Sequence, residues 1–308
     1  MTRASQIPER MSRDPIAALQ SLPFLAVHAV ALATPFVAPP TAGWIALAAA
    51  AYAVRMFGIT AGYHRYFSHR AFRTSRAFQL VLAVLGASAA QKGPLWWAAH
   101  HRDHHRWSDA TEDIHSPLRD GLWWSHVGWI LSRRHDATKL PRVKDLARFP
   151  ELRWLDRWHL AAPIALAVGM FLAGGLPALL WGFFVSTTLL WHGTFAINSL
   201  AHVFGRRRYA TPDGSRNSLL LALVTFGEGW HNNHHFFPSS ARQGFCWWEI
   251  DVSYGVLRGL AALGVVRDLR APPAPVKAAA LRPAAARGEP GPGRARSARS
   301  LATAPVRR

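Results

Sequence analysis

The sequence predicts an all-α membrane protein: four transmembrane helices capped by a cytosolic helical domain that holds a histidine-rich two-metal site. Two observations of composition and one of pattern carry this. Half of the 308 residues are hydrophobic and 14 are Trp, yet the formal net charge is +19. The mean hydropathy is only +0.03, so apolar stretches and basic segments must alternate. The Lys and Arg flank the apolar stretches and form no groove-reading motif, which points to a membrane surface and away from nucleic acid. Between those stretches lie three histidine clusters: HRYFSH with His64 and His69, HRDHH with His101, His104 and His105, and HNNHH with His231, His234 and His235.

The elements follow in order. Residues 1–21 are polar and read as a cytosolic tail, with no signal peptide before the first span. The first span covers about 22–38, near the minimum length for the hydrocarbon core, and Pro39 and Pro40 end it. The second, about 44–61, leads directly into His64 and places Arg55 near its inner end or on a protein-facing side. Residues 160–200 contain no Asp, Glu, Lys or Arg and are interrupted by Gly174, Gly175 and Pro177, which gives two spans, 160–176 and 178–200. The inter-span turns PPTAG and GGLP are uncharged, whereas basic residues fill the tail, the 62–159 loop and everything after 201. By the positive-inside rule those basic segments share the cytoplasmic side. The membrane domain of the chain is thus expected over 22–273, with its cap built from 62–159 and 201–273.

Phe78–Ala90 is apolar but too short to span and is expected in the interface or packed under the cytosolic domain as an amphipathic segment. SHVGWILSRRHDATK mixes Trp with basic residues and is expected to form an interfacial helix. Residues 274–308 are rich in Pro, Ala and Arg and read as a disordered basic tail near anionic lipid. The single cysteine, Cys246, excludes a disulfide framework and a cysteine-based metal site.

Each imidazole carries a donor and an acceptor that burial without a partner would strand, so clustered histidines read as a metal cage. Residues at i, i+3 and i+4 share a helical face, so HRDHH and HNNHH each present three rings in one direction. His64 and His69 are i, i+5, about 140° apart on a continuous α-helix; that pair addresses two metals or straddles a helix end. Two triads and a split pair imply two ions. Imidazole ligands suit Fe, Cu, Zn or Ni. The chain has no HExxH motif of a zinc hydrolase and no isolated in-span histidines of a b-type haem protein. Clustered imidazoles with open positions favour redox chemistry on O2, and the membrane location points to a lipid substrate. A non-catalytic metal-binding or transport protein is the reading from another class, against which the nearly non-polar spans speak.

HRYFSH, HRDHH and GEGWHNNHHFFP, together with NSLAH, resemble the membrane-bound fatty acid desaturases of the acyl-CoA (stearoyl-CoA type) Δ9 class, over about residues 20 to 273. The resemblance implies two iron ions and insertion of a cis double bond with O2 and two electrons. It also implies nine ligands, His64, His69, His101, His104, His105, His202, His231, His234 and His235, with Asn198 acting through a water. Trp97 and Thr194 match positions that shape the tunnel bend, Gln91 a polar tunnel residue, and Tyr52 the bulky position closing the methyl end. Arg133 and Arg134 match a basic pair that meets the CoA phosphates. The chain departs from that class just before HRDHH, where Ala99 and His100 stand in place of an Arg-Asp pair. Acyl-CoA and acyl-lipid substrates therefore both stay open, and a related membrane di-iron hydroxylase is the alternative. The electrons are expected from a separate donor, a ferredoxin, a flavin reductase or a cytochrome b5. The Ala/Arg/Pro-heavy composition points to a bacterial inner membrane. Asp109, Glu112, Asp113 and Glu228 are candidates to orient the imidazoles. His28, His100, His115, His126, His135, His159 and His192 are read as structural or interfacial, His115 in DIH being the nearest to a motif.

Overall fold

A computed structural model describes residues 18–279, and within them the chain is mostly helical. The α-helices are α1 (Ala18–Val37), α2 (Ala42–Phe57), α3 (Arg76–Ala87), α4 (Pro94–Trp107), α5 (Pro117–Asp120), α6 (Lys144–Ala147), α7 (Pro150–Arg157) and α8 (Ala161–Leu179). They continue as α9 (Ser186–Ser199), α10 (Leu219–Val224), α11 (His231–Phe236), α12 (Val252–Ala262) and α13 (Ala274–Ala278). A two-residue ribbon, β1 (Arg73–Thr74) against β2 (Val266–Arg267), closes the cap antiparallel.

Thr41 starts α2, its hydroxyl accepting from the Trp44 N–H at 3.2 Å. The helix does not stop at Phe57. It widens into an eleven-residue π-helix, Gly58–Ser68. Two continuous helical stretches, Ala42–Ser68 and Ala161–His202, are long and apolar enough to cross a membrane, and α1 is a shorter apolar helix. The second stretch is broken where the sequence places a turn: Gly174 (φ −154°, ψ 22°) and Gly175 (φ 64°, ψ −157°) leave helical geometry. The positive φ at Gly175 is one that a side chain would resist. Their outward faces are hydrocarbon-like, with Phe36 and Leu172 88% and 78% exposed.

Of the two expected placements α3 takes the packed one: it lies across the π-helix with Leu82, Ala83 and Ala87 buried. Glycines allow this crossing: a Cβ on Gly58 would come within 2.6 Å of the Leu85 carbonyl carbon, and one on Gly86 within 2.3 Å of the Tyr63 ring. α3 thereby clamps the segment that carries His64.

The expected interfacial helix over SHVGWILSRRHDATK is not formed. That stretch is a π-turn, Trp124–Gly128, then a 3-10 turn, Arg133–His135. The break falls where the Ser132 hydroxyl accepts from the Arg134 N–H at 3.3 Å and starts a new turn. The expected tail begins with a short helix, α13, stabilised by Pro275 in its first turn; the rest of that tail and residues 1–17 lie outside the described residues.

Candidate metal centre

The π-helix ends at Ser68 with His69 as its cap, so the pair straddles a helix end and the 140° separation of a continuous α-helix does not apply. Bonding from i+5 to i, His69 N–H to His64 C=O at 3.2 Å, places the fifth residue over the first. The two rings sit edge to face with centroids 4.8 Å apart. They join one group, not two.

All nine histidines converge, in two groups. Ring nitrogens of His64, His69, His101, His105 and His234 lie within 4.8 Å of one another, and so do those of His104, His202, His231 and His235. Each triad is divided between the groups: on α4 the i, i+4 pair His101 and His105 goes one way and His104 the other. On α11 the i, i+4 pair His231 and His235 goes with His104, and His234 crosses to the other group.

The other residues of the motifs hold these helices still. Arg102 binds the Phe67 and Ser68 carbonyls at 2.8 and 3.1 Å and also Asp145, tying α4 to the end of the π-helix. Asp156 accepts from the Leu95 and Trp96 N–H groups that open α4. In HNNHH the two asparagines face away from the histidines and are fully buried. Asn232 accepts from the Arg208 and Tyr209 N–H groups, and Asn233 donates to the Gln243 carbonyl and to Glu249.

Four carboxylates fix the ring orientation. His64 Nδ1 meets Glu228 at 2.5 Å, His104 Nδ1 meets Asp113 at 3.2 Å, His202 Nδ1 meets Asp109 at 2.9 Å and His235 Nδ1 meets Asp213 at 2.8 Å. With Nδ1–H donating to an acid, a neutral ring keeps its Nε2 lone pair for the centre of the group. Asp109 is itself in the left-handed region (φ 58°), which Asp tolerates better than most residues. It accepts also from Ser116 Oγ and the Gly214 N–H. Burial pushes its carboxyl up, but the hydrogen bond and charge of His202, with those neighbours, bring it down to about 2. Burial, then crowding by other imidazoles, holds His101, His105, His231 and His234 well below the ordinary histidine range. Those four rings are neutral.

These lone pairs demand a cation. His234 Nε2 lies 3.0 Å from His64 Nε2 and 2.8 Å from His105 Nε2, and one N–H cannot serve both. His235 Nε2 is buried with no hydrogen-bond partner at all. His69 and His101 Nε2 are 2.9 Å apart, and His202 and His231 Nε2 are 3.0 Å apart. Nitrogens about 2.1 Å from an ion would be separated by about 3.0 Å at right angles and about 3.4 Å in a tetrahedron. The short pairs are of the order that two nitrogens on one ion would show, so each group could hold a metal ion.

A cavity opens beside the histidines, lined by Met56, Ile59, Trp97, Thr194, Ile197 and Asn198 with His64, His101, His104 and His231. Gln91 reaches it indirectly, donating to Thr194 Oγ1 at 3.1 Å. Tyr52 is not part of that lining: its hydroxyl donates to the Val224 carbonyl at 2.6 Å and its ring stands edge-on to Phe226. Arg133 and Arg134 are exposed on the cap. Ala99 and His100 are buried, and His100 Nδ1 is paired with the Trp96 carbonyl, outside both groups.

Sequence reasoning missed Asp213, which lies 22 residues from its partner His235 and in no histidine motif. It also set aside His115, which is buried with its ring 4.5 Å from that of His104 and close enough to His104 and Asp113 to form a further ligand group. Its signal was the DIH adjacency. Glu112 is exposed and orients nothing. Asp213→Asn is expected to lower metal affinity and turnover roughly 10- to 100-fold while the fold survives. Metal content per chain and the melting temperature, measured on the same preparation, check this; an unchanged metal content would remove Asp213 from the site.

Comparison with known proteins bears on the same residues. Residues 40–262 match the family model described as Fatty acid desaturase. The chain is 36% identical over 273 residues to the sn-2 palmitoyl-lipid 9-desaturase of Nostoc sp. (strain 36), covering 86% of this chain and 94% of that one. It is 37% identical over 252 residues to the icosanoyl-CoA 5-desaturase of Limnanthes douglasii, covering 80% and 70%. With Delta-9 acyl-lipid desaturase 2 of Arabidopsis thaliana the identity is 39% over 249 residues, covering 80% of each.

Proposed function

This chain belongs to the fatty acid desaturase family, and from that premise we propose that it is an O2-dependent Δ9 acyl desaturase that inserts a cis double bond into a saturated chain. The observation that carries the reading is the pair of all-imidazole groups opening on one mostly apolar cavity. The balance is two hydrogens from adjacent methylenes, O2, two electrons and two protons giving one alkene and two waters. Two irons would be held by the nine histidines, with Asn198 acting through a water, and would supply the oxidising power for that chemistry. Iron is favoured over zinc by the need for redox change.

The protein's own residues do the rest. Glu228, Asp113, Asp109 and Asp213 hold four rings with Nε2 inward. Met56, Ile59, Trp97 and Ile197 exclude water from the alkyl chain and press it toward the histidines. Thr194, held by Gln91, sets a polar point on the wall, and Tyr52 limits chain length from behind it. Two electrons come from a separate donor of the ferredoxin, flavin reductase or cytochrome b5 type that docks on the basic cap.

For the carrier we take coenzyme A, with Arg133 and Arg134 meeting its phosphates. A glycerolipid carrier is the second reading, favoured by the acyl-lipid names of two relatives above and by burial of Ala99 and His100 where a head-group pair would stand. We place the chain in a bacterial inner membrane with four spans, the broken Ala161–His202 stretch supplying two of them, and with the cap in the cytoplasm. Expression in a desaturase-deficient host should yield new cis-Δ9 acyl chains. Purified protein given stearoyl-CoA or liposomes of saturated glycerolipid then separates the carriers. Hydroxylated products with no new alkene would overturn the reading.

A further inference from the structure

α10 follows the last apolar stretch and by sequence order belongs to the cytosolic cap, yet it is the uncharged hexapeptide LLLALV. Its Leu221 packs inward on Ala196 and Ala201. Four of its six side chains face out: Leu219, Leu220, Leu223 and Val224 are 51%, 71%, 45% and 42% exposed. Such a run of bare apolar groups is not a water-facing surface.

Its end sits deep. The Val224 carbonyl accepts from the Tyr52 hydroxyl at 2.6 Å. A Cβ on Gly193 would lie 2.8 Å from that hydroxyl and 3.6 Å from Val224 Cγ1. Tyr52 is eight residues beyond Trp44, about 12 Å along α2 and half-way through the apolar stretch; Gly193 precedes His202 by nine residues, about 13 Å of α9. Both neighbours are at hydrocarbon depth. Backbone there must find its partners within the protein, and it does. The Thr225 N–H and hydroxyl both donate to the Leu221 carbonyl, and the Gly227 N–H donates to the Ala222 carbonyl at 2.7 Å.

We infer that Leu219–Thr225 is a re-entrant membrane segment. The cap dips α10 into the cytoplasmic leaflet beside α2 and α9, and acyl tails of the bilayer cover its exposed leucines. Thr225 lines the cavity beside the histidines, so this segment is the wall between that cavity and the lipid. The inference rests on α2 and α9 crossing the membrane, and its test reports on that premise separately.

Nitroxide labels are placed one at a time, in a Cys246→Ser chain in liposomes, at Leu220→Cys, at Leu189→Cys on the outer face of α9, and at Thr111→Cys on the exposed cap. The ratio of collision rates with dissolved oxygen and with a water-soluble nickel chelate is read by electron paramagnetic resonance. Leu220 and Leu189 should both give ratios several-fold above Thr111. A water-like ratio at Leu220 with a lipid-like one at Leu189 overturns the re-entrant segment and leaves the spans standing. Water-like ratios at both remove the premise and the inference together. Suppression of both collision partners at Leu220 means that protein, not lipid, covers α10 and also overturns it.

Discussion

Replacing His202 by Ala is expected to abolish desaturation, by roughly 100-fold or more, and to lower bound iron from two per chain toward one. Ligand-orienting residues alone are worth about 10- to 100-fold at such sites, and His202 offers the ring nitrogen itself. Its group has four histidines against five in the other, so it is the less able to lose one. His202 also stands 1% exposed between His231 Nε2 at 3.0 Å and Asp109 at 2.9 Å. Removing the ring therefore strands a buried carboxylate and leaves a hole beside His231. Part of the loss would be structural, and a paired variant separates the two. His100→Ala removes an equally buried ring, 4% exposed, from the helix that carries three other histidines. That variant should lose stability yet keep both irons and most activity. Iron per chain, measured by elemental analysis on folded protein, decides the matter: two irons retained in His202→Ala would remove His202 from the ligand set.

Much of this centre was legible in the residues. Spacing alone identified eight histidines, because i, i+3, i+4 repeats have no packing explanation, and the turn at Gly174–Gly175 was readable because glycine punctuates an otherwise uncharged run. What spacing could not give was the division of each triad between two groups. That depends on how α4 and α11 face one another, which is tertiary information. Of the two readings of His64 and His69 the helix-end one holds, since the π-helix ends at Ser68 with His69 as its cap. The i to i+5 bonding that brings the rings together was not legible, because no residue type announces a π-helix. Asp213 was invisible because its partner lies across a loop. Trp-rich composition likewise suggested a helix over 125–139 where Ser132 starts a fresh turn. In each failure a contact distant in sequence, or a backbone hydrogen bond, outweighed the local pattern.

Glu228→Ala is expected to be the most destabilising change outside the histidines, about 3–5 kcal/mol, with activity falling at least as far as for Asp213→Asn. Glu228 is 6% exposed and Arg65 only 1%. The carboxylate accepts from Arg65 Nε and Nη2 at 3.2 and 3.0 Å on one oxygen, and from His64 Nδ1 at 2.5 Å and Gln243 Nε2 at 2.8 Å on the other. Truncation leaves a guanidinium in the interior with one acid, Asp251 at 2.9 Å, and breaking a buried pair from one side costs that much because the remaining charge is uncompensated. It also leaves His64 free to rotate or to change tautomer, which turns its lone pair away from His234 and His105. The two effects come apart in Glu228→Gln. The amide keeps the volume and one acceptor, so His64 can remain oriented while Arg65 loses its counter-charge. The glutamine variant should therefore melt several degrees below the parent yet bind iron better than the alanine variant does. Thermal unfolding in detergent and iron per chain, read on both variants, test this: equal iron content in the two would mean that Glu228 acts on Arg65 alone and does not set the His64 ring.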